Sequence, residues 1–246
     1  MCPQSLFKLK PDFDRVIRDV LLAFKNNKNN DNKAFLVLTE GRRKKWTEIF
    51  QRRLQDSVPE ILSQVKFLPR TSAGREFLRL IASADVILHP FPFGGSKTAA
   101  DGLAMGVPVV AMEGNALPGR MAFSLYKTMG LEGAGNRAED TVFVVASICT
   151  RGLLGDKPST HQNILKLWHM KPALRLPPSP RACPVCSFVQ LAIRLGRDTR
   201  YRRWASGLIE QRSSALWERR EVVLEWARFI SRAAGRVPPT AQEVSQ

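Results

Sequence analysis

The sequence predicts an α/β fold in which helices pack on both faces of a doubly wound, Rossmann-like parallel sheet. Short apolar runs of strand length alternate with amphipathic segments of helical length over residues 11–129, and the connections between them are short. The runs are apolar throughout rather than at every second position, as in parallel strands that are buried on both faces. Ligands of such sheets bind beyond the carboxyl ends of the strands, so functional residues are expected there.

The first element is predicted to be a helix that begins near residue 11, because apolar residues recur at helical spacing. These residues are Val16, Ile17, Val20, Leu21 and Phe24. Asp12 suits the N-cap of this helix and Asp14 its first turn. The "DFD" stretch is therefore interpreted as a helix start, although it also resembles the Asp-x-Asp metal motif of many sugar transferases.

The rest of the alternating region predicts four strands and four helices in turn. Strands are expected at 34–39, 65–69, 85–91 and 108–112, and helices at 44–57, 73–83, 97–105 and 119–129. Together with the first helix, these elements make residues 1–135 one Rossmann-like domain.

The pattern changes beyond Gly135. Residues 136–187 carry scattered prolines and no lasting period, and they are expected to form an irregular, poorly ordered insertion. Helical spacing returns at 188–234, where amphipathic helices are expected to pack and complete the domain. Residues 235–246 are expected to be a tail.

The formal net charge of +16 suggests a nucleic-acid-binding protein as one function. Basic residues cluster in "GRRKKW" (41–46) and in residues 194–220, which hold eight arginines and three acidic residues. In the second cluster they interleave with an amphipathic pattern, as on the solvated face of long helices. Because no helix-turn-helix, zinc-finger or RNP signature is present, the charge favours nonspecific binding at low salt over sequence-specific recognition.

Signals for targeting and for metal binding are weak. No apolar run approaches the roughly 18 residues of a membrane helix, and the N-terminus lacks the apolar core of a secretory signal. A cytoplasmic or nuclear protein without membrane association is therefore expected. "CPVC" (183–186), with His161 and His169 upstream, is a candidate zinc site. Because a single CxxC is a weak signal, reduced thiols and no metal are the preferred interpretation.

The stretch "HPFPFGGSKTAAD", which follows the third predicted strand, carries the strongest functional signal. Gly94 and Gly95 let the backbone approach a ligand because they lack a Cβ atom. Ser96 and Thr98 can cap the next helix or turn their hydroxyls towards a phosphate, which the free N–H groups of a helix start also attract. Asp101, one turn into that helix, could accept hydrogen bonds from both hydroxyls of a ribose. An ordinary strand-to-helix connection is the alternative.

The stretch at residues 84–131 resembles the nucleotide-binding half of the O-GlcNAc transferase family, glycosyltransferase family 41. The family pattern is a strand "ADVxLD", a glycine followed by His-Thr-Thr, an Asp in the helix, "GxPVV", and then an Arg and a Ser in the next helix. This chain has "ADVILH", Asp101, "GVPVV" and the pair Arg120 and Ser124 in the same order.

Two further stretches carry the same resemblance. "QSLFKLKPD" near the N-terminus is similar to the family's Asn-Gln-x-Tyr-Lys-x-x-Pro, which makes Lys8 the lysine that contacts the phosphates and Phe7 the aromatic residue before it. Residues 188–229 resemble the closing helices of the family. The resemblance therefore covers residues 4–135 and 188–234.

The chain departs from the family at several site positions. Ser96 stands where the family has a histidine and Lys97 where it has its first threonine, whereas Thr98 is retained. Lys97 adds a cation beside the expected diphosphate. Phe77 occupies the position that faces the base, where it could stack on uracil or be ordinary helix core. His89 replaces a common Asp and is interpreted as a core residue rather than a general base.

The resemblance implies a GT-B glycosyltransferase that transfers GlcNAc from UDP-GlcNAc to Ser or Thr hydroxyls of a protein, with inversion and without a metal or other cofactor. The reaction must stabilise the departing diphosphate, for which the resemblance implies Lys8 as catalytic residue together with the N–H groups at 96–98. This chain matches the C-terminal, nucleotide-binding half, and neither a 34-residue repeat nor a second α/β half is evident. An acceptor-side domain is thus an expected partner, and the isolated chain is expected to bind UDP with little or no transfer.

Two other functions stay open. A UDP-sugar-binding or scaffold module that has lost catalysis would carry the same pocket, whereas a basic nucleic-acid-binding protein would bind through charge alone. Recovery of GlcNAc transfer with an acceptor-side partner distinguishes the enzyme from the module. Competition by UDP distinguishes both of them from the nucleic-acid-binding protein.

Overall fold

The structure, a computed structural model, describes residues 1–25, 34–71, 74–114, 116–131, 144–145, 184–217, 219–237 and 239–240. The α-helices are α1 Pro11–Lys25, α2 Lys44–Ser57, α3 Gly74–Ala82, α4 Ser96–Ala104, α5 Leu117–Thr128, α6 Pro184–Arg197, α7 Thr199–Arg212 and α8 Arg220–Ala233. The strands are β1 Leu36–Thr39, β2 Val65–Leu68, β3 Ile87–Leu88, β4 Val109–Met112 and β5 Val144–Val145. Short 3-10 helices lie at Leu6–Lys8, Pro59–Gln64 and Ser213–Leu216.

The strands form two small parallel sheets that the first residues of the chain connect. β1 pairs with β2, and β4 lies between β3 and β5. The amino group of Met1 donates to the Val86 carbonyl (2.7 Å), and the Met1 carbonyl accepts from the Leu88 N–H (2.8 Å). On its other side, Cys2 forms a parallel bridge with Leu38 of β1. The carboxyl ends of β1 and β3 are thereby brought to one edge.

The predicted alternation of helices and strands between residues 11 and 129 is confirmed, with bounds that shift by a few residues. The third strand is shorter than predicted because the backbone leaves the sheet after Leu88. The His89 N–H still donates to the Val110 carbonyl (2.8 Å), and the chain then turns through Pro90 and Pro92. α1 begins at Pro11, which suits a first helical position, so Asp12 lies in the first turn and not at the N-cap as predicted.

Three aromatic rings tie the segment after β3 to the helices behind it. Phe13 of α1 packs edge-to-face on Phe91 and on Phe188 of α6, with ring centroids 5.4 and 6.0 Å apart. Phe91 and Phe188 complete the triad at 5.7 Å. Phe13 and Phe188 are fully buried, and each such pair adds about 0.5–1.5 kcal/mol beyond its area burial. The triad fixes the start of the glycine turn that follows Phe91.

The C-terminal helices differ in how they pack. α6 contacts α1 and β4, and α7 contacts α6 and α4, as the amphipathic pattern predicts. Within the described part of the chain, by contrast, α8 buries none of its residues. The side chains of Trp226, Phe229 and Ile230 are each more than half exposed, so the expectation that this helix packs is not met there.

The middle of the sequence is only sparsely described. Of the predicted insertion at 136–187, residues 144–145 form β5, and α6 begins at Pro184, four residues before the predicted return of helical order. The remainder of that prediction lies outside the described residues, as do Cys183, His161 and His169 of the zinc alternative. Cys2 is a free, buried thiol as expected, whereas Cys186 is disulfide-bonded, contrary to the expectation of reduced thiols.

Candidate functional site

The two adjacent glycines after β3 are required by close packing within the protein itself. A Cβ atom on Gly94 would lie 1.6 Å from Cε1 of His89, and one on Gly95 would lie 2.3 Å from Nε2 of Gln4. Both distances are far below van der Waals contact, so no other residue fits without moving the ring or the amide. The structure shows that the two glycines let His89 and Gln4 approach the backbone, and the approach of a ligand to them stays a prediction.

His89 shapes the turn from inside the protein. Its side chain is buried, and the Gly95 N–H donates to Nε2 at 3.0 Å. Burial lowers the pKa of the imidazole from 6.5 to about 4, against an opposing effect of the hydrogen bond with Gly95, and the nearby Lys8 ammonium lowers it further. The ring is therefore neutral at physiological pH and accepts a hydrogen bond through Nε2, which fixes the backbone of Gly95.

Lys8 reaches the same turn from the other end of the chain. Its amine donates to Oε1 of Gln4 (3.0 Å) and to the Gly94 carbonyl (3.3 Å), and it lies 5.1 Å from the ring centroid of Phe93. Both hydrogen-bond acceptors are neutral. Partial burial lowers the pKa of the Lys8 amine, because the surroundings compensate its charge poorly. An ammonium held by neutral groups keeps most of its field for an anionic ligand.

A cleft of about 190 Å³ opens beside Lys8 at the carboxyl edge of the strands. Three of the predicted site residues line it, namely Lys8, Phe77 and Thr98. The other lining residues are Pro3, Gln4, Ser5, Thr39, Arg70 and Thr71. The lining thus contains two cations, four hydroxyls, one amide and one aromatic ring, and no carboxylate. This composition favours an anionic ligand that also offers groups for hydrogen bonding.

The start of α4 faces the turn with open backbone donors. Its N-cap residue is Gly95, which has no side chain, and no side chain caps the helix. Ser96 is the first helical residue, one position earlier than predicted, so its hydroxyl does not take the capping role considered from the sequence. The N–H groups of residues 96–98 precede the first full helical hydrogen bond and stay available to a ligand. The helix dipole adds a partial positive charge there.

Asp101 and Lys97 pair with each other across one turn of α4. The Lys97 amine donates to both carboxylate oxygens of Asp101, at 2.8 and 3.0 Å. The lysine side chain is 85% exposed and the aspartate side chain 15%. Neither residue lines the 190 Å³ cleft, and neither do Gly94, Gly95 and Ser96. The structure therefore directs Lys97 to the carboxylate and not into the cleft.

Arg70 is a cleft residue that the sequence reasoning missed. It lies two positions beyond the end of β2, at the edge where ligands of parallel sheets bind. That placement was readable from the sequence, because "VKFLPR" puts the arginine directly after a predicted strand. Attention to the residues that follow β2 would have identified it.

A larger hollow of about 370 Å³ lies at the opposite edge, near the amino ends of β1 and β3. Most of its lining residues are apolar, Val20, Phe24 and Leu36 among them, and it contains none of the predicted site residues. Volume alone would favour this hollow. The smaller cleft is the better candidate because charged and hydroxyl groups converge there.

The fold and the cleft define an α/β protein with a cationic, hydroxyl-lined cleft at the carboxyl edge of its strands. The structure is similar to that of a Thermobaculum terrenum O-GlcNAc transferase mutant, with a TM-score of 0.53 and 20% sequence identity, over 87% of this chain and 34% of that one. At that identity the likeness shows the fold. The match leaves most of the transferase chain uncovered.

Sequence comparison indicates the same relationship. Two proteins named probable UDP-N-acetylglucosamine–peptide N-acetylglucosaminyltransferase SPINDLY match over 77 residues, at 35% identity in Solanum lycopersicum and 32% in Petunia hybrida. Each match spans 31% of this chain and 8% of the relative, and no family model matches. The resemblance to O-GlcNAc transferases that the motifs predicted is thereby confirmed.

Two further properties concern only the described ranges of the chain. No helix in them combines the length and the apolar character needed to cross a membrane. They also contain no group of three or more His, Cys, Asp or Glu side chains placed to bind a metal ion.

Proposed function

We propose that this chain is the nucleotide-binding half of a GT-B glycosyltransferase that binds a UDP-sugar. With an acceptor-side half it transfers GlcNAc from UDP-GlcNAc to Ser or Thr hydroxyls of proteins in the cytoplasm or nucleus, without a metal. The observation that carries the proposal is the meeting of Lys8 with the glycine turn. A 3.3 Å hydrogen bond joins the lysine to Gly94, 86 positions away, and the lysine lines a cleft that no acidic residue lines.

The roles in this proposal follow from the contacts of each residue. Lys8 and the N–H groups at the start of α4 bind the diphosphate and stabilise its charge as it departs, because they are positioned before the reaction begins. Thr98 donates its hydroxyl to a phosphate oxygen. Phe77 lines the cleft and offers a ring for the uracil to stack on. Asp101 accepts from the ribose hydroxyls after exchanging its contact with Lys97.

A Rossmann-like sheet is part of the same proposal. In this proposal Met1–Cys2 counts as a strand between the two sheets, because it bridges to Leu38 and hydrogen-bonds to Leu88, and the order then becomes β2–β1–(Met1–Cys2)–β3–β4–β5 with helices in the crossovers. Numbered along the chain, this is the order 3-2-1-4-5-6 of dinucleotide-binding folds. The order reverses between Met1–Cys2 and β3, and the candidate cleft lies at this switch point.

A catalytically inactive UDP-sugar-binding module is the second candidate. The ion pair between Lys97 and Asp101 favours it, because a carboxylate already neutralised by lysine binds ribose less readily. Phe77 also offers no hydrogen bond to a base. The two candidates share the nucleotide site and differ in whether transfer occurs.

Calorimetric titration with UDP, UDP-GlcNAc and GDP tests the nucleotide site. Lys8→Met is expected to weaken UDP binding by about 10- to 150-fold, the worth of a charge-assisted contact of roughly 1.5–3 kcal/mol. Asp101→Asn is expected to weaken the binding of UDP and to leave the binding of pyrophosphate unchanged, because pyrophosphate has no ribose. Lys10→Met is the matched control, because Lys10 is an exposed lysine two positions away that does not line the cleft. Equal affinity for all nucleotides, unchanged in Lys8→Met, would contradict the proposal.

A transfer assay separates the enzyme from the binding module. The chain is mixed with the acceptor-side half of a SPINDLY-type transferase, UDP-GlcNAc and a Ser/Thr peptide, and the peptide mass is followed. A gain of one GlcNAc that Lys8→Met abolishes supports the enzyme. Tight UDP binding without any gain of mass supports the module.

A further inference from the structure

We propose that Arg70 is a second phosphate ligand, which makes the cleft selective for a diphosphate over a monophosphate. This inference rests on the proposed nucleotide site and assigns a role to a residue that the motifs do not include. Arg70 lines the cleft together with Lys8, and no acidic residue lines it. Two cations without a carboxylate match a ligand that carries negative charge on two adjacent groups.

The arginine is available for such a ligand. Within the described ranges, Arg70 forms no ion pair and no side-chain hydrogen bond, whereas Arg53 and Arg202 each bind a carboxylate. Arg70 is exposed just beyond the end of β2, so a ligand can bind it without first breaking an ion pair. The guanidinium presents a planar fork that can bind two oxygens of one phosphoryl group.

The two cations approach the cleft from different strands. Arg70 follows β2, Thr39 ends β1, and Lys8 follows the Met1–Cys2 segment that pairs with β1. Adjacent strands are about 4.8 Å apart, so β2 and the Met1–Cys2 segment, which flank β1, are separated by about 10 Å. Both side chains line the same cleft of about 190 Å³. Lys8 and the start of α4 then hold the phosphoryl group next to the ribose, and Arg70 holds the terminal one, which UMP lacks.

Calorimetric titration of the full chain with UDP, UMP and uridine tests this division. Arg70→Gln is expected to lower the affinity for UDP by about tenfold or more and the affinity for UMP by less than about threefold, because only UDP carries the second phosphoryl group. Arg70→Lys keeps the charge but loses the fork, so it is expected to recover only part of the UDP affinity. Arg79→Gln is the matched control, because Arg79 is an exposed arginine in α3 that does not line the cleft. This variant is expected to leave the affinities for UDP and UMP unchanged.

The outcomes separate this inference from the function beneath it. If the unaltered chain binds UDP and Arg70→Gln leaves the ratio of UDP to UMP affinity unchanged, the inference on Arg70 is wrong and the nucleotide site stands. An equal loss of affinity for uridine, UMP and UDP also overturns the inference, because the arginine would then contact the nucleoside or stabilise the fold. If the unaltered chain binds no uridine nucleotide, the nucleotide site and the role of Arg70 are both wrong.

Discussion

The amine of Lys8 lies 3.3 Å from the carbonyl oxygen of Gly94, so the 3-10 turn near the N-terminus and the glycine turn after β3 form one structure. The contact joins the two motifs that most strongly suggested a phosphate site. Its second acceptor, Oε1 of Gln4, is also neutral, and the cleft beside it has no carboxylate. The positive charge is therefore held in place without being cancelled.

Gly94→Ala is expected to destabilise the protein strongly. The new methyl group would lie 1.6 Å from Cε1 of His89, so the buried ring must leave its position and lose its hydrogen bond from Gly95. Overpacking of this kind costs about 1–3 kcal/mol or more. Chemical denaturation measures the loss. Gly207→Ala is the control, because a methyl group there meets nothing within 4 Å and replaces glycine inside α7.

Gly207→Ala is expected to raise the free energy of unfolding by about 0.5–1 kcal/mol, which is the difference in helix propensity between alanine and glycine. Equal stability of Gly94→Ala and the unaltered chain would show that the turn adapts and that the packing of His89 does not require glycine.

The buried imidazole of His89 predicts a dependence of stability on pH. Its pKa is about 4 in the folded protein and 6.5 when unperturbed, so the unfolded chain binds more protons between these values. The contribution of the neutral imidazole to the free energy of unfolding is complete above about pH 6.5 and is lost as the pH falls towards 4. It amounts to at most about 3 kcal/mol. Denaturation curves at pH 7 and pH 4.5 measure it.

His89→Gln removes the titrating imidazole and keeps all other titratable groups, so it is the control for the stability difference between pH 7 and pH 4.5. The stability difference between the two pH values is expected to be smaller in His89→Gln than in the unaltered chain. An identical difference in both proteins would contradict the assignment of this pH dependence to His89.

The sequence predicted the order of the elements well, because burial imposes a period on helices and a uniform apolar character on parallel strands. It did not predict the role of Met1 and Cys2, since two residues carry no period and only the neighbouring strands reveal their pairing. It did not predict the ion pair of Lys97 with Asp101 either, and the place of Lys97 beside a diphosphate stays a prediction. Side-chain partners depend on rotamers, which sequence spacing leaves open.

Lys97→Gln is expected to change UDP affinity by less than about threefold, in contrast to Lys8→Met. The Lys97 amine is 85% exposed and engaged with Asp101, and charges in that setting are screened by water and salt. Titration of both variants at 50 and 300 mM salt gives the comparison. A loss in Lys97→Gln as large as that in Lys8→Met would mean that Lys97 leaves Asp101 to bind the phosphates.

The last prediction concerns an ion pair next to the turn that carries Lys8, in which the carboxylate is buried and the arginine is partly exposed. Arg53 of α2 binds both carboxylate oxygens of Asp14 at 2.8 Å and donates to the carbonyl of Leu9, the residue after Lys8. Asp14 is 1% exposed, so Arg53→Met leaves a buried carboxylate without its partner and should cost about 3 kcal/mol in the free energy of unfolding. UDP affinity is expected to fall as well, because the Leu9 carbonyl is released. Arg52→Met, at the exposed neighbouring position, should change stability by less than about 0.5 kcal/mol and leave UDP binding intact, whereas matching losses in both variants would refute a positioning role for Arg53.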